Sequence, residues 1–306
     1  MSRDLLPPEF DDRGRDPSEP EARPDTRSSL EREPGEAATP SGSLERSPER
    51  PLPDRPPEIS FRDGRAILYD RDHGYRLSES EVRTLVELGK FRVVATHDLA
   101  EHAYAAERQS ADYDLANLVR QGLVRKGTFH GPEANPRELL TLTKRGYRLL
   151  RANRLAPKYQ AVYYGFVKPR EANHDANLYR LYHKEAVRIV KMGGRNLRVV
   201  LDYELKRKIN REMARLGAAA RPEIAARHGL QVVRNKIPVP DLRIEYETPG
   251  GGMARVNLEL VTEHYRGRHV ADKVHAGFSL YTPRGEADHL RRVLDGHELT
   301  AEILSL

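Results

Sequence analysis

Pro240-Asp241-Leu242-Arg243-Ile244-Glu245-Tyr246-Glu247, Thr248-Pro249-Gly250-Gly251-Gly252 and Met253-Ala254-Arg255-Val256-Asn257-Leu258-Glu259 follow one another in this chain. Two runs of alternating apolar and polar side chains flank a turn rich in proline and glycine, which is the pattern of an antiparallel hairpin. Centred on Gly250, the hairpin sets Leu242 against Leu258, Ile244 against Val256 and Tyr246 against Ala254 on one apolar face. Glu245 then meets Arg255 on the other face. A slip of one residue would exchange the faces and scatter these pairs, so the register is constrained. The same register brings Asp241 opposite Glu259, with Cβ atoms about 5 Å apart, where like charges repel. Two readings meet that repulsion. A divalent cation bound by the two carboxylates would offset it, and metal-assisted phosphodiester cleavage uses such a pair. Alternatively, Asp241 is a turn residue and Glu259 is solvated on an exposed sheet face.

With 306 residues the chain is long enough for about two domains and an ordinary core. It has no cysteine, which excludes disulfides, thiolate zinc sites and cysteine nucleophiles. Its charged, proline-containing start lacks the apolar core of a signal peptide, and no run approaches the roughly 18 apolar residues of a membrane span. A cytoplasmic protein without membrane contact is the expectation. Residues 1–57 hold nine Arg, fourteen Asp or Glu and twelve of the 21 prolines, a net charge of −5. Such a segment buries too little apolar surface to offset the entropy of ordering, and it reads as a disordered tail. With the whole chain at +6, residues 58–306 carry +11, mostly as arginine. Guanidinium suits bidentate phosphate contacts, and a GC-rich genome also enriches arginine.

From Ile59 to Tyr69 the sequence predicts a short strand pair around Asp63-Gly64. Ser78 and Glu81 form a capping box for a first helix with Val82, Leu85, Val86 and Leu88 inside, ending near Gly89. A second helix follows Thr96, with Leu99, Ala100 and Ala103 inward. A third runs from Arg108-Gln109-Ser110 through Leu115, Leu118 and Val119 to Gly122. Strands at 123–127 and 138–142, joined by a Gly/Pro/Asn loop, precede a helix at 144–153 capped by Thr143. This is the order of a winged helix-turn-helix domain, assigned to residues 58–156, whose third helix enters the DNA major groove. Its candidate DNA contacts are Ser110, Tyr113, Asn117, Arg120 and Gln121, with Arg125, Lys126 and His130 reaching phosphates from the wing. Asp112 and Asp114 oppose tight docking at the helix start. The competing reading is a solvated helix face on a protein-binding domain.

The second domain, residues 157–306, is expected to open with a helix from Asn173-His174-Asp175 to Met192, stopped by Gly193-Gly194. Leu178, Leu181, Tyr182, Ile189 and Met192 form its apolar stripe, and Glu185 falls inside it. That carboxylate is a functional group, an ion-pair partner of Arg188 or a side chain at the edge of the stripe. A strand at 197–201, a charged amphipathic helix at 202–216, a lead-in at 232–237, the hairpin and a helix containing Val270, Lys273 and Val274 follow. His264 and His269 read as surface residues, and the glycine turn is no phosphate loop.

The order of helix with Glu, strand bearing Asp, strand bearing Glu, then helix resembles the core of PD-(D/E)XK nuclease folds. Residues 75–285 resemble more specifically the replication-relaxation family of plasmid and mobile-element proteins. His174-Asp175, Pro240-Asp241, Leu258-Glu259-Leu260-Val261-Thr262-Glu263, Lys273 and Tyr281 carry that resemblance. It implies an α+β chain, a winged helix followed by an α/β nuclease-like domain. It also implies Asp241 and Glu259 as ligands of Mg²⁺, with Glu185 as the helix-borne catalytic carboxylate. Glu263 is a further acidic candidate. The lysine usual two residues past the strand glutamate is replaced by Val261, so Lys273 is its candidate substitute, with an ordinary surface lysine as the alternative. The expected function is DNA binding in plasmid or mobile-element replication or mobilisation, with or without Mg²⁺-dependent cleavage. The alternative is a non-enzymatic transcriptional or copy-number regulator. Double-stranded DNA, a second copy of the chain and a replication or mobilisation protein are the expected partners.

Overall fold

The computed structural model describes residues 59–130, 136–262, 267–283, 287–295 and 303–305. The expected tail, the loop at 131–135, Glu263 and His264 lie outside the described residues. The chain opens with strands β1 (Arg65–Asp70) and β2 (His73–Ser78), paired antiparallel from Arg65 with Ser78 to Asp70 with His73. The turn between them is Arg71-Asp72, not the expected Asp63-Gly64. Asp63 and Gly64 do turn, at φ of 51° and 72°, but close only a single bridge from Arg62 to Arg65. The longer pairing wins because Ala66, Leu68, Tyr75 and Leu77 alternate inward from both strands.

Helix α1 (Glu79–Lys90) starts at Ser78, whose hydroxyl accepts from Glu81 N–H while the Glu81 side chain accepts from Ser78 N–H. It runs one residue past Gly89, which is buried there because a Cβ would stand 3.0–3.2 Å from Val162, Leu150 and Leu142. Strand β3 (Val94–Ala95), helices α2 (Thr96–Ala103) and α3 (Arg108–Arg120), and strands β4 (Val124–Phe129) and β5 (Arg137–Leu142) follow. β5 lies between β3 and β4, antiparallel to both. Helix α4 (Lys144–Ala152) is capped by the Thr143 hydroxyl on Gly146 N–H. Leu99 and Ala100 are buried as expected, whereas Ala103 is exposed at the end of α2.

Helix α5 (Pro169–Lys191) begins four residues before the expected Asn173, since proline fits the first helical turn. It leads to β6 (Arg195–Leu201), α6 (Asp202–Leu216), one 3₁₀ turn at Ala218–Ala220 and α7 (Arg221–Arg227). Val233 and Lys236 close a tight turn, and then β7 (Leu242–Glu247) and β8 (Met253–Leu260) form the hairpin. α8 (Gly267–His275), β9 (Ser279–Thr282), α9 (Ala287–Asp295) and β10 (Ile303–Ser305) complete the described elements.

The hairpin register is the one expected: Leu242 pairs Leu258, Ile244 pairs Val256, Glu245 pairs Arg255 and Tyr246 pairs Ala254. The five strands lie in the order β10-β9-β8-β7-β6. β6, β7 and β8 are antiparallel neighbours, while β9 runs parallel to β8 and β10 parallel to β9. α5 packs on this sheet and also on the first half of the chain. Phe91 meets Tyr179 edge-on at 5.1 Å and Tyr182 at 5.5 Å, within one apolar cluster extending from Leu68 to Tyr281. Leu155 and Leu178, on either side of position 157, both belong to that cluster. Met192, expected on the apolar stripe of α5, is 57% exposed past the helix end.

Candidate functional site

Asp241 and Glu259 meet where β7 begins and β8 ends. Each carboxylate accepts a main-chain N–H from the other strand: Asp241 N–H donates to Glu259 Oε2 (3.2 Å), and Leu260 N–H donates to Asp241 Oδ2 (3.0 Å). The carbonyl of Asp241 also accepts Asp202 N–H, which ties in the end of β6. Glu259 is fully buried, so it is not solvated on an exposed face. Its Oε1 lies 2.6 Å from Lys273 Nζ, which also donates to the Val239 carbonyl and sits 5.5 Å from the Phe278 ring. A buried carboxylate requires a partner charge, and helix α8 supplies one.

A second cation reaches the pair from α5. His174 Nε2 is 3.3 Å from Asp241 Oδ2, and its Nδ1 is 3.5 Å from Asp175 Oδ1. Burial alone would lower the pKa of this imidazole, but hydrogen bonds and charge from Asp175 and Asp241 outweigh it and push the pKa up to about 10. Both neighbouring carboxylates thus favour the charged form of His174. Burial likewise acts to raise Asp175, but bonds from His174 and Arg92 hold it below its ordinary value. Arg92 Nε lies 2.6 Å from Asp175 Oδ2, extending the ion pairs into the first half of the chain. Arg92, His174 and Lys273 thus face Asp175, Asp241 and Glu259, with Glu171 sharing Arg92 at 3.4 Å.

That arrangement bears on whether Mg²⁺ fits. Hard divalent cations need oxygen ligands whose negative charge is not already spent. Here both carboxylates of the pair accept backbone N–H groups, and each also faces a protein cation. A Mg²⁺ ion at this pair would have to share or displace those partners. Elsewhere among the described residues, His97, Asp98 and Glu101 bring three possible ligand atoms within 4.8 Å of one another. Arg137 Nη2 and Arg180 Nε lie 3.7 Å from the two Asp98 carboxylate oxygens, too far for hydrogen bonds, and Asp98 Oδ2 is buried without a hydrogen-bond partner among the described residues.

The remaining candidates separate. Glu185 is buried on α5, eleven residues beyond His174, roughly 16 Å along the helix axis. It accepts from the Tyr281 hydroxyl at 2.6 Å and lies 3.9 Å from Arg188 Nη1, so the helix brings His174, not Glu185, to the acidic pair. The ion pair with Arg188 that the sequence suggested is present but long. Val261 is buried among Val270, Leu280, Leu290 and Leu294. Missed in the sequence were Arg92 and the contact role of His174-Asp175. Nothing in local spacing signals them, because they depend on how α5 packs against the sheet.

On α3 the exposed residues are Arg108, Gln109, Asp112, Tyr113, Ala116, Val119 and Arg120, and Val119, expected inside, is 40% exposed. Tyr113 is 66% exposed. Asn117, expected outward, is buried: its Nδ2 donates to Glu81 Oε1 (2.6 Å), and its Oδ1 accepts from Arg120 Nη2 (2.8 Å). The fully buried Glu81 pulls it inward, and that carboxylate is itself held by Arg65 and Ser78 N–H. Asp114 is buried too, accepting from the Tyr104 hydroxyl at 3.0 Å. Ser110 is half-buried, and Gln121 donates to the Arg76 carbonyl at 3.3 Å. On β4, Arg125 is exposed and lies 5.7 Å from the Phe166 ring, while Lys126 pairs with Glu138 at 2.7 Å. His130 is exposed.

The described elements make this a mixed α+β protein, and none of its described helices is long and apolar enough to cross a membrane. Comparison with known proteins returns no matching family model, no similar curated protein and no similar solved structure.

Proposed function

We propose that the chain binds double-stranded DNA through the exposed face of α3 and the neighbouring β4–β5 hairpin. On this reading residues 58–156 act as a winged helix, with α3 in the major groove and Arg125 and Lys126 near phosphates. The observation that carries it is the solvent face of α3, where Tyr113 and Arg120 stand clear and Arg120 is held in place by Asn117. The order α5-β6-α6-α7-β7-β8-α8-β9, with three antiparallel strands followed by a parallel one, supports a PD-(D/E)XK nuclease-like frame for the second half. No cleavage step is proposed, since the acidic pair already faces His174 and Lys273. The second half then serves as a rigid support and a surface for a second copy or a partner protein. A place in plasmid or mobile-element replication or mobilisation rests on the resemblance to the replication-relaxation family.

The test is electrophoretic retardation of mixed-sequence duplexes by the full chain and by Tyr113→Ala/Arg120→Ala/Arg125→Ala. The wild type should shift duplex at low salt, and the triple variant should bind at least about tenfold more weakly with unchanged circular dichroism. Equal retardation by both proteins removes α3 from the interface.

A further inference from the structure

Arg120 is a long, exposed side chain at the end of α3, where a free arginine would sample many rotamers. Instead its Nη2 donates to Asn117 Oδ1 at 2.8 Å, one helical turn earlier. Asn117 is itself fixed, since its Nδ2 donates to the fully buried carboxylate of Glu81 at 2.6 Å. Glu81 is anchored on its other oxygen by Ser78 N–H (2.7 Å) and Arg65 Nη1 (3.2 Å). A chain of bonds therefore runs from the cap of α1 to the guanidinium on the solvent face of α3.

Two chemical details bear on what such a group does. The support is a neutral amide, so Arg120 keeps its full positive charge, whereas a carboxylate support would cancel it. One N–H is spent on Asn117, which leaves four of the five guanidinium donors for a ligand. Phosphate contacts tolerate a mobile point charge, while bidentate reading of a base edge rewards a fork already aligned. Arg120 also shares a face with Tyr113, seven residues away, so the two span about 10 Å, roughly three base-pair steps.

Resting on the DNA-binding reading above, we infer that Arg120 reads a guanine in the major groove through its O6 and N7, with Asn117 as its positioning residue. Guanine presents two acceptors on that edge and arginine is their usual partner.

The experiment selects duplexes from a randomised pool with the full-length wild type, Arg120→Ala, Arg120→Lys and Asn117→Ala. The expected wild-type pool contains a position restricted to G·C. Arg120→Ala and Arg120→Lys should lose the preference there and keep it elsewhere. Asn117→Ala should weaken that same preference while the others persist, a pattern that a general loss of stability does not give. Placing 7-deazaguanine at that position removes N7 and should weaken wild-type binding by about tenfold or more, with little effect on Arg120→Ala. The inference is overturned if Arg120→Ala weakens all sequences alike with a shallower salt dependence, which marks a phosphate contact. It is also overturned if the wild type binds duplex with no G·C-restricted position, an outcome that leaves DNA binding intact. Failure of the wild type to bind any duplex at low salt removes the DNA-binding reading and this inference with it.

Discussion

Lys273 Nζ stands 2.6 Å from Oε1 of Glu259, a side chain with no exposure to solvent. Removing one member of a buried pair strands the other charge, at a cost of about 3–5 kcal/mol. Lys273→Met should therefore lower unfolding stability by that order, measured in urea. Adding Glu259→Gln removes the stranded charge and should restore more than half of the loss. If Lys273→Met costs under about 1 kcal/mol, another group neutralises Glu259.

His174 links pH to stability. Its pKa rises from an ordinary 6.5 to about 10 in the folded chain. A raised folded value means that the stabilisation is complete below pH 6.5 and fades as pH climbs toward 10. The wild type should thus lose on the order of 2 kcal/mol relative to His174→Gln across that window, allowing for partial solvent screening of the ring. Parallel pH profiles for the two proteins would show that His174 is not held by Asp175 and Asp241.

Gly146 marks the closest backbone approach in the first half. A Cβ placed there would stand 2.3 Å from the Leu123 carbonyl oxygen, which is main chain and cannot rotate away. Gly146→Ala should push α4 off the β4 strand and cost about 1–3 kcal/mol or more in urea unfolding. A neutral substitution would mean that α4 shifts freely.

The hairpin was legible because its apolar residues pair in only one register, and that register alone set Asp241 beside Glu259. The helix at 79–90 was legible from its capping box and periodicity, and the helix at 202–216 from its amphipathic pattern. What compensates the acidic pair was not legible. Lys273 was one of two open readings, and His174 arrives only through the docking of α5. Asn117 misled because it lies three and four residues from Arg120 and Tyr113, at spacing that fits an outward stripe. Its real partner, Glu81, was already explained by the capping box, which hid a second role for the same carboxylate. Glu185 misled for the converse reason: a buried helix carboxylate signals a partner, and the partner is Tyr281.

Arg243 is 2% exposed between β8 and the end of α7. Its Nε donates to Asn257 Oδ1 (2.8 Å) and its Nη1 to the His228 carbonyl (2.7 Å), and burial lowers its pKa to about 10. Arg243→Lys keeps the charge but loses the fork. It should cost about 1–3 kcal/mol, since buried acceptors lose their donors. Unchanged stability would mean that water replaces the guanidinium.

Duplex DNA affinity as a function of salt bears most directly on what the molecule does. Anisotropy of a labelled duplex should show binding of the full chain at about 50 mM salt and a loss of roughly a hundredfold or more by about 200 mM, the steepness given by some four or more phosphate contacts. Chelating divalent ions should leave the curve unchanged. Affinity that is absent at low salt, insensitive to salt, or abolished by the chelator would contradict a protein that grips DNA with its own cations and needs no metal.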